Sequence, residues 1–451
     1  MKLLTADHVL PVSSPPIENG GVLVSDGRIE AVGPASLLRE QHPHVPVDHF
    51  AGSAILPGFV NCHSHLELTA LRGLLDDLDH DFAAWLIRLT KLRAEALSDE
   101  DIADSALAGA LEGRKAGVTC FGDIGRWGRA GFEALKASGL RGVLFQETEF
   151  SPDSANAEAD FEALMEKIGV LREEETAKVT VGISPHSPYT VSPALFGLIS
   201  EASLKEGLRV TIHAAESDAE QDLLTGNGGF FAKIFRDQGV RWEPPGVRAV
   251  EYLSSTGILE TAPLLVHCTK ADENEIGLIA ESCSKIAHCP KSNAKFGHGV
   301  APLSKFLAAG IAVGLGTDSM VSNNVCDLLE EARFASLAAR IASASDRFIQ
   351  PSEALRLATL GGAEALGLAE ITGSLEPGKA ADLIAVSLRE VTRLPVNDVE
   401  SALVFASRAN DVEMTIVGGE VLYREGKCFG ADEERLRARM NEIGIRLRAA
   451  L

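Results

Sequence analysis

Short apolar runs, many alternating with polar residues, open and close this chain, and its middle alternates apolar runs with stretches of helical spacing. Near the start, Gly20-Gly21-Val22-Leu23-Val24 and Ile29-Glu30-Ala31-Val32 flank Asp26-Gly27. An Asp-Gly pair between two such runs predicts a β-hairpin, because both turn residues can adopt positive φ. Near the end, Ala381-Asp382-Leu383-Ile384-Ala385-Val386 and residues 412–417 read as strands. Gly418-Gly419 reads as a turn into Val421-Leu422-Tyr423. The two ends are expected to pair into one small β domain, residues 1–55 plus 376–428. Chain termini commonly meet at a domain surface, so this pairing is sterically easy. From Asp432, Leu, Met and Ile recur at helical spacing among arginines, which predicts a C-terminal helix within 429–451.

Between these ends, candidate strands finish near His63, Asp123, Glu147, His186, His213, His267, His288 and Asp318. Helical stretches lie between them, among them 98–117, 159–173, 192–207 and 272–284. Repeated strand–helix alternation over roughly 300 residues predicts a (β/α)8 barrel, an α/β fold spanning 56–375. A doubly wound open sheet is the competitor. It is disfavoured because no Gly-rich phosphate loop is present and polar residues recur at nearly every strand end. An open sheet gathers its site at one switch point.

With 451 residues, 45% of them apolar, the chain can bury a large core. Its formal charge of −22 argues against a nucleic-acid backbone or an anionic membrane as partner, and leaves a small-molecule substrate open. No apolar run reaches the roughly 18 residues of a membrane span. The first residues lack a secretory apolar core. Seven cysteines with no CxxC pair fit free thiols in a reducing cytoplasm. A homodimer is the commonest assembly for such a chain.

The chemistry concentrates in four fragments at strand ends: His63-Ser64-His65, His213-Ala214-Ala215-Glu216, His267-Cys268 and Thr317-Asp318-Ser319. Residues two apart on a strand face the same side, so His63 and His65 can chelate one metal. The alternative is a surface pair on a loop; Pro57-Gly58 ahead of it and Glu67 behind it favour a site. His213 offers a third nitrogen and Asp318 a carboxylate. Glu216 is placed to take a proton from a metal-activated water and pass it on; alternatively it is a helix-start carboxylate favoured by the macrodipole. His267 is either a fourth ligand or a nonligating partner of water and substrate. His186, in Ser184-Pro185-His186-Ser187-Pro188-Tyr189, is expected at the substrate, with Glu67, Trp85 and Ser319. His288 is read as orienting its loop. Residues 71–85 are expected to form a mobile loop over the pocket, in which Phe82 and Trp85 either stack on a ring or pack as apolar helix residues; 226–245, with Phe230, Phe231 and Trp242, is expected to wall its far side. Arg72 or Arg126 could bind a substrate carboxylate, with a solvated surface arginine the favoured reading for either. Cys62, Cys268 and Cys289 neighbour these positions and read as buried structural thiols. His65-Leu66-Glu67 matches half of the cytidine-deaminase signature, but the P-C-x-x-C half is absent.

Taken together, these fragments resemble the amidohydrolase superfamily, in its branch of deaminases and chlorohydrolases acting on nitrogen heterocycles. The resemblance rests on Pro57-Gly58-Phe59-Val60-Asn61-Cys62-His63-Ser64-His65, Pro185-His186-Ser187-Pro188-Tyr189, His213-Ala214-Ala215-Glu216 and His288-Cys289-Pro290-Lys291-Ser292-Asn293. It continues through Gly316-Thr317-Asp318-Ser319 and Gly373-Ser374-Leu375-Glu376-Pro377-Gly378-Lys379-Ala380-Ala381-Asp382-Leu383. It implies a barrel with a small β-sandwich built from both chain ends. It implies one divalent metal, zinc first and iron or manganese as alternatives, on His63, His65, His213 and Asp318. Glu216, His267 and Asp318 would handle protons, and His186 would touch substrate. The fourth barrel strand ends without a lysine, which favours one metal over two. The implied reaction is hydrolytic deamination, with attack on the amino-bearing ring carbon, protonation of a ring nitrogen by Glu216 and loss of ammonia. The implied substrate is a 6-aminopurine nucleoside: 6-aminodeoxyfutalosine, then S-adenosylhomocysteine or adenosine. Guanine, cytosine and pterin deamination, and amide or carbon–halogen hydrolysis, are the alternatives on the same scaffold.

Overall fold

A computed structural model describes residues 1–450 except 238 and 343–347. Eight parallel strands form a barrel: Phe59–Ser64, Val118–Gly125, Arg141–Glu147, Val179–Ser184, Thr211–Ala214, Leu264–His267, Lys285–His288 and Val313–Leu315. They pair as two four-stranded sheets. The bridge Ile183–Val210 joins the fourth strand to the fifth, and Ser64–Asp318 joins the first to the chain just beyond the eighth. The sheet is thereby closed, and the open doubly wound alternative is excluded. Nearly every strand residue is buried. That suits parallel strands packed inside against each other and outside against helices, and it explains their near-continuous apolar runs.

The helices begin where the sequence offers caps. Asp99–Lys115 starts at a Ser98–Asp101 capping box, and Glu273–Glu281 at an Asp272–Glu275 box. Pro193–Glu206 is capped by Ser192, with its proline in the first turn.

Both chain ends build one hydrogen-bonded sheet of eight strands. Lys2–Val9, Ile17–Ser25, Arg28–Pro34 and Val47–Pro57 come from the start. Leu383–Ser387, Val412–Val417, Glu420–Arg424 and Lys427–Cys428 come from the end. Val47–Pro57 is the seam, parallel to Lys2–Val9 and antiparallel to Leu383–Ser387. The first hairpin turns at Asp26-Gly27, with φ of 49° and 77°. A side chain at Gly27 would meet the Gly418 carbonyl at 2.8 Å, so this tip needs glycine twice over. The Arg28–Ala380 bridge shows the sheet curling back on itself, and Leu4, Val22, Leu383 and Met414 share its apolar interior. The C-terminal helix, Glu433–Ala449, is capped by Asp432. Arg439 and Arg446 bind Asp101 of helix Asp99–Lys115. Ile443 and Leu447 enter the same apolar cluster as Trp85 and Leu89. Among the described residues, no helix is long and apolar enough to cross a membrane.

Candidate metal-dependent active site

The carboxyl ends of the barrel strands bring His63, His65, His213, His267 and Asp318 together. The ring of His63 lies 4.9 Å from that of His65, 5.0 Å from His213 and 5.7 Å from His267. Asp318 Oδ1 is 3.3 Å from His63 Nε2 and 3.6 Å from His65 Nε2. Two overlapping triads, His63–His65–His213 and His63–His267–Asp318, each have ligand atoms within 4.8 Å of one another. The closure of the barrel makes this meeting: Asp318 N–H donates to the His63 carbonyl at 3.0 Å, holding the chain beyond the eighth strand against the first.

The donor set fits a divalent cation. His63 Nε2 is buried and finds no hydrogen-bond partner within the protein. The other ends of these groups are anchored. His213 Nδ1 lies 3.0 Å from the His186 carbonyl, and Asp318 Oδ2 accepts from the Ser292 and Ser322 hydroxyls at 2.6 and 3.0 Å. Such outer contacts aim Nε2 and Oδ1 inward. The protonation states are those a metal needs. Burial, then the charge of neighbouring His63, pushes His65 down to about 4. Burial and the surrounding imidazoles hold His213 well below its ordinary value. Asp318 is pulled the other way by burial, yet the facing His63 and His65 keep it well below the usual carboxylate range. Among the described residues, no cysteine joins these triads. Cys62, Cys268 and Cys289 are buried, free thiols, as expected of neighbours that point into the barrel wall.

Glu216 leaves the fifth strand toward the same space. Its Oε1 is 3.6 Å from His267 Nε2 and 3.6 Å from His298 Nε2. Glu220 accepts the backbone N–H groups of Ala215 and Glu216 at 3.2 and 2.7 Å, which holds the turn. His267 Nδ1 is 2.9 Å from Asn293 Oδ1. Ala215, His267 and Asp318 all have left-handed backbone, with φ of 50°, 70° and 58°. Such conformations cost on the order of 1–3 kcal/mol each and persist where the surrounding fold over-determines them.

Against known proteins, residues 54–422 match the amidohydrolase family. This chain belongs to that family. A further match, to an imidazolonepropionase-like composite domain of bacteria, covers residues 20–44. The chain is 34% identical to a 5-methylthioadenosine/S-adenosylhomocysteine deaminase of Moorella thermoacetica, over 98% of both chains. It superposes on a zinc-bound adenosine deaminase of Xanthomonas campestris with a TM-score of 0.88, at 28% identity, covering 99% of this chain and 98% of the other. A zinc-complexed atrazine chlorohydrolase of Arthrobacter aurescens aligns with a TM-score of 0.85 over 98% of this chain and all of its own, but at 24% identity it speaks for the fold alone. The amidohydrolase described here is a hydrolytic enzyme of carbon–nitrogen bonds.

Beside the cluster lies a cavity of about 80 Å³. One wall is apolar, formed by Leu68, Phe82, Trp85, Leu86, Leu89 and Phe296. Most of it comes from helix Phe82–Glu95, which corrects the expected loop of 71–85: Phe82 and Trp85 stand on a helix that continues beyond that stretch. The other wall is polar, with His186, Glu147, Arg93 and Ser319. Ring stacking from the insertion reaches the cavity only at second hand. Phe231 packs 4.2 Å from the ring of Tyr189, which lines the cavity, while Phe230, Phe231 and Trp242 do not. This corrects the expected far wall. Glu67 is also corrected as a substrate contact. It is buried and does not line the cavity, and its carboxylate accepts the backbone N–H groups of Arg126, Trp127 and Gly128. Burial pushes it up to about 7. His288 is buried and stays out of the cavity wall. Arg72 pairs with Glu112, and Arg126 with Glu149.

Sequence reasoning missed Arg93, Glu147 as a cavity residue, and His298. Glu147 ends a barrel strand, as the other site residues do, and that was the available signal. Arg93 lies two helical turns beyond Trp85 on the same helix, so its spacing was legible once Trp85 was placed. His298 follows a short helix, Pro290–Lys295, and only its packing against Phe82 at 4.8 Å reveals its place. A larger cleft of about 620 Å³ lies between Asp99–Lys115 and the C-terminal helix, and contains none of the clustered histidines.

Proposed function

We propose that this amidohydrolase is a zinc-dependent deaminase of a 6-aminopurine nucleoside. The observation that carries the reading is Glu216. It stands at the edge of the histidine–carboxylate cluster and opens into the cavity. His63, His65, His213 and Asp318 would hold the metal, which supplies an acidified water when bound. Glu216 would act as the proton carrier, taking a proton from the attacking water and delivering it to a ring nitrogen. His267, oriented by Asn293, and Asp318, oriented by Ser292 and Ser322, hold the remaining proton near the attacked carbon. His186 keeps Nδ1 on the Ser187 and Thr190 hydroxyls and turns Nε2 to the substrate. Trp85 lines the face on which a purine would stack.

The nucleoside reading is supported by the full-length relatives that act on methylthioadenosine and S-adenosylhomocysteine. An aminofutalosine deaminase of Helicobacter pylori shares the fold at 23% identity. The cavity, about 80 Å³, is far below the roughly 300–1,000 Å³ of ordinary ligand pockets, so its walls must open to admit a nucleoside. The barrel, 56–375, carries the chemistry, supported by the composite domain of 1–55 with 376–428 and the terminal segment 429–451. Free thiols support a cytoplasmic enzyme, which we take to work as a homodimer.

The test is ammonia release from zinc-loaded protein offered S-adenosylhomocysteine, methylthioadenosine, adenosine and 6-aminodeoxyfutalosine, with Glu216→Gln as control. Turnover of one of them, lost in the control, is expected. Silence across the panel from folded, zinc-loaded enzyme would overturn the reading.

A further inference from the structure

Arg93 lines the cavity from helix Phe82–Glu95 and makes no hydrogen bond to any described residue. Its Nε is buried without a partner. The nearest carboxylate oxygen, Glu147 Oε2, is 3.9 Å away, beyond hydrogen-bonding distance. Its side chain is only 18% exposed. A partly buried guanidinium whose Nε has no acceptor and whose nearest carboxylate is too far for a hydrogen bond is a costly arrangement. The structure nevertheless holds it in place, 5.2 Å over the ring of Trp127. Such stacking orients the planar fork while leaving its N–H edge available.

Glu147 is the complement. It is buried, its carboxylate accepts no hydrogen bond from a described residue, and its Oε1 lies 4.0 Å from His186 Nε2. Contacts thus run from the metal cluster through His213 and His186 to Glu147, and end at Arg93. At that end the cavity offers one set of strong donors and one strong acceptor, which face each other as a loose ion pair at 3.9 Å without a hydrogen bond between them.

We propose that Arg93 selects substrates carrying a carboxylate on the portion of the nucleoside remote from the reacting amine. The inference rests on the nucleoside-deaminase reading above. A carboxylate fits the guanidinium bidentately, while Glu147 takes hydroxyl or ammonium donors from the same substrate. A neutral, short 5′ substituent leaves both groups unsatisfied.

S-adenosylhomocysteine bears such a carboxylate and methylthioadenosine does not, so the test is the ratio of their kcat/KM values in zinc-loaded enzyme. The wild type is expected to prefer the carboxylate by about 10- to 100-fold. Arg93→Met should bring the ratio close to one, with Arg93→Lys in between. A wild-type ratio near one, or a ratio unchanged in Arg93→Met, overturns the assignment. Equilibrium binding to Glu216→Gln enzyme gives a readout without turnover: S-adenosylhomocysteine should bind more tightly than its carboxamide, and equal affinities count against Arg93. If both nucleosides are deaminated with no carboxylate preference, only this inference fails. If neither is deaminated or bound, the nucleoside reading itself fails, and this inference with it.

Discussion

One barrel strand, Arg141–Glu147, carries an arginine–carboxylate pair at each end, and the two pairs are opposites. At its start, Arg141 reaches Asp382 of the composite domain, with Nε to Oδ2 at 2.7 Å and Nη2 to Oδ1 at 3.4 Å. Asp382 also accepts the Gly418 N–H at 2.7 Å. This pair is buried, fork-shaped and satisfied, and it locks barrel to sheet. At the strand's end, Glu147 is buried and Arg93 partly buried, and they stay 3.9 Å apart with no hydrogen bond between them. The same chemistry is therefore completed where it holds domains together and left open where a ligand enters. The carboxyl end of a barrel carries function and the opposite end stability. Here a single strand displays both.

The sharpest break comes at the open end. Glu216→Gln should lower kcat by about 10²- to 10⁴-fold and leave the melting temperature within a few degrees of wild type. Steady-state ammonia release and a thermal melt check both halves. A large loss of stability with it would mean that the mouth is structural after all. Arg141→Met should do the reverse. Leaving Asp382 buried without its partner should cost about 3–5 kcal/mol in denaturant unfolding, while zinc-loaded enzyme that remains folded keeps its KM. Metal sits third. Chelation should remove about 2.7 kcal/mol of stability if the ion had been present at a hundredfold excess over Kd. His63→Ala should lose that increment, and added zinc should not restore it.

The smallest expected effect concerns pH. Burial pushes Glu220 up to about 8, above its unfolded range near 4.5. The folded state therefore binds the extra proton between these limits, and stability falls as pH rises through that window. Glu220→Gln should flatten this part of the profile by on the order of 1–2 kcal/mol. Melts of metal-free wild type and variant from pH 5 to 8 measure it. A difference between them that does not change with pH would place Glu220 as an ionised acceptor instead.

How much of this was legible in the chain depends on whether the signal is local. The hairpin at Asp26-Gly27 was read correctly because two adjacent residues must both take positive φ. Strands at 412–417 and at the barrel positions follow from apolar runs that a buried parallel or curled sheet demands. The cluster of His63, His65, His213 and Asp318 was visible because each lies at a strand's carboxyl end, and a closed barrel brings those ends to one rim. Glu67 misled for the same reason in reverse. Its spacing from His65 placed it near the site, but spacing says nothing of the three N–H groups at 126–128 that engage its carboxylate.

By itself, then, the sequence determined the period of each segment, its caps and turns, and which polar residues would stand at strand ends, all consequences of near-neighbour geometry. Only the tertiary structure decided which buried charges were satisfied. Arg141 and Arg93 are the same residue type. One meets Asp382, 241 residues away, because the chain ends fold back beneath the barrel. The other, lining a cavity, stops 3.9 Å from Glu147, short of a hydrogen bond. Hydrogen-bond completion depends on ångström-scale distances between distant segments, and no local pattern encodes those distances.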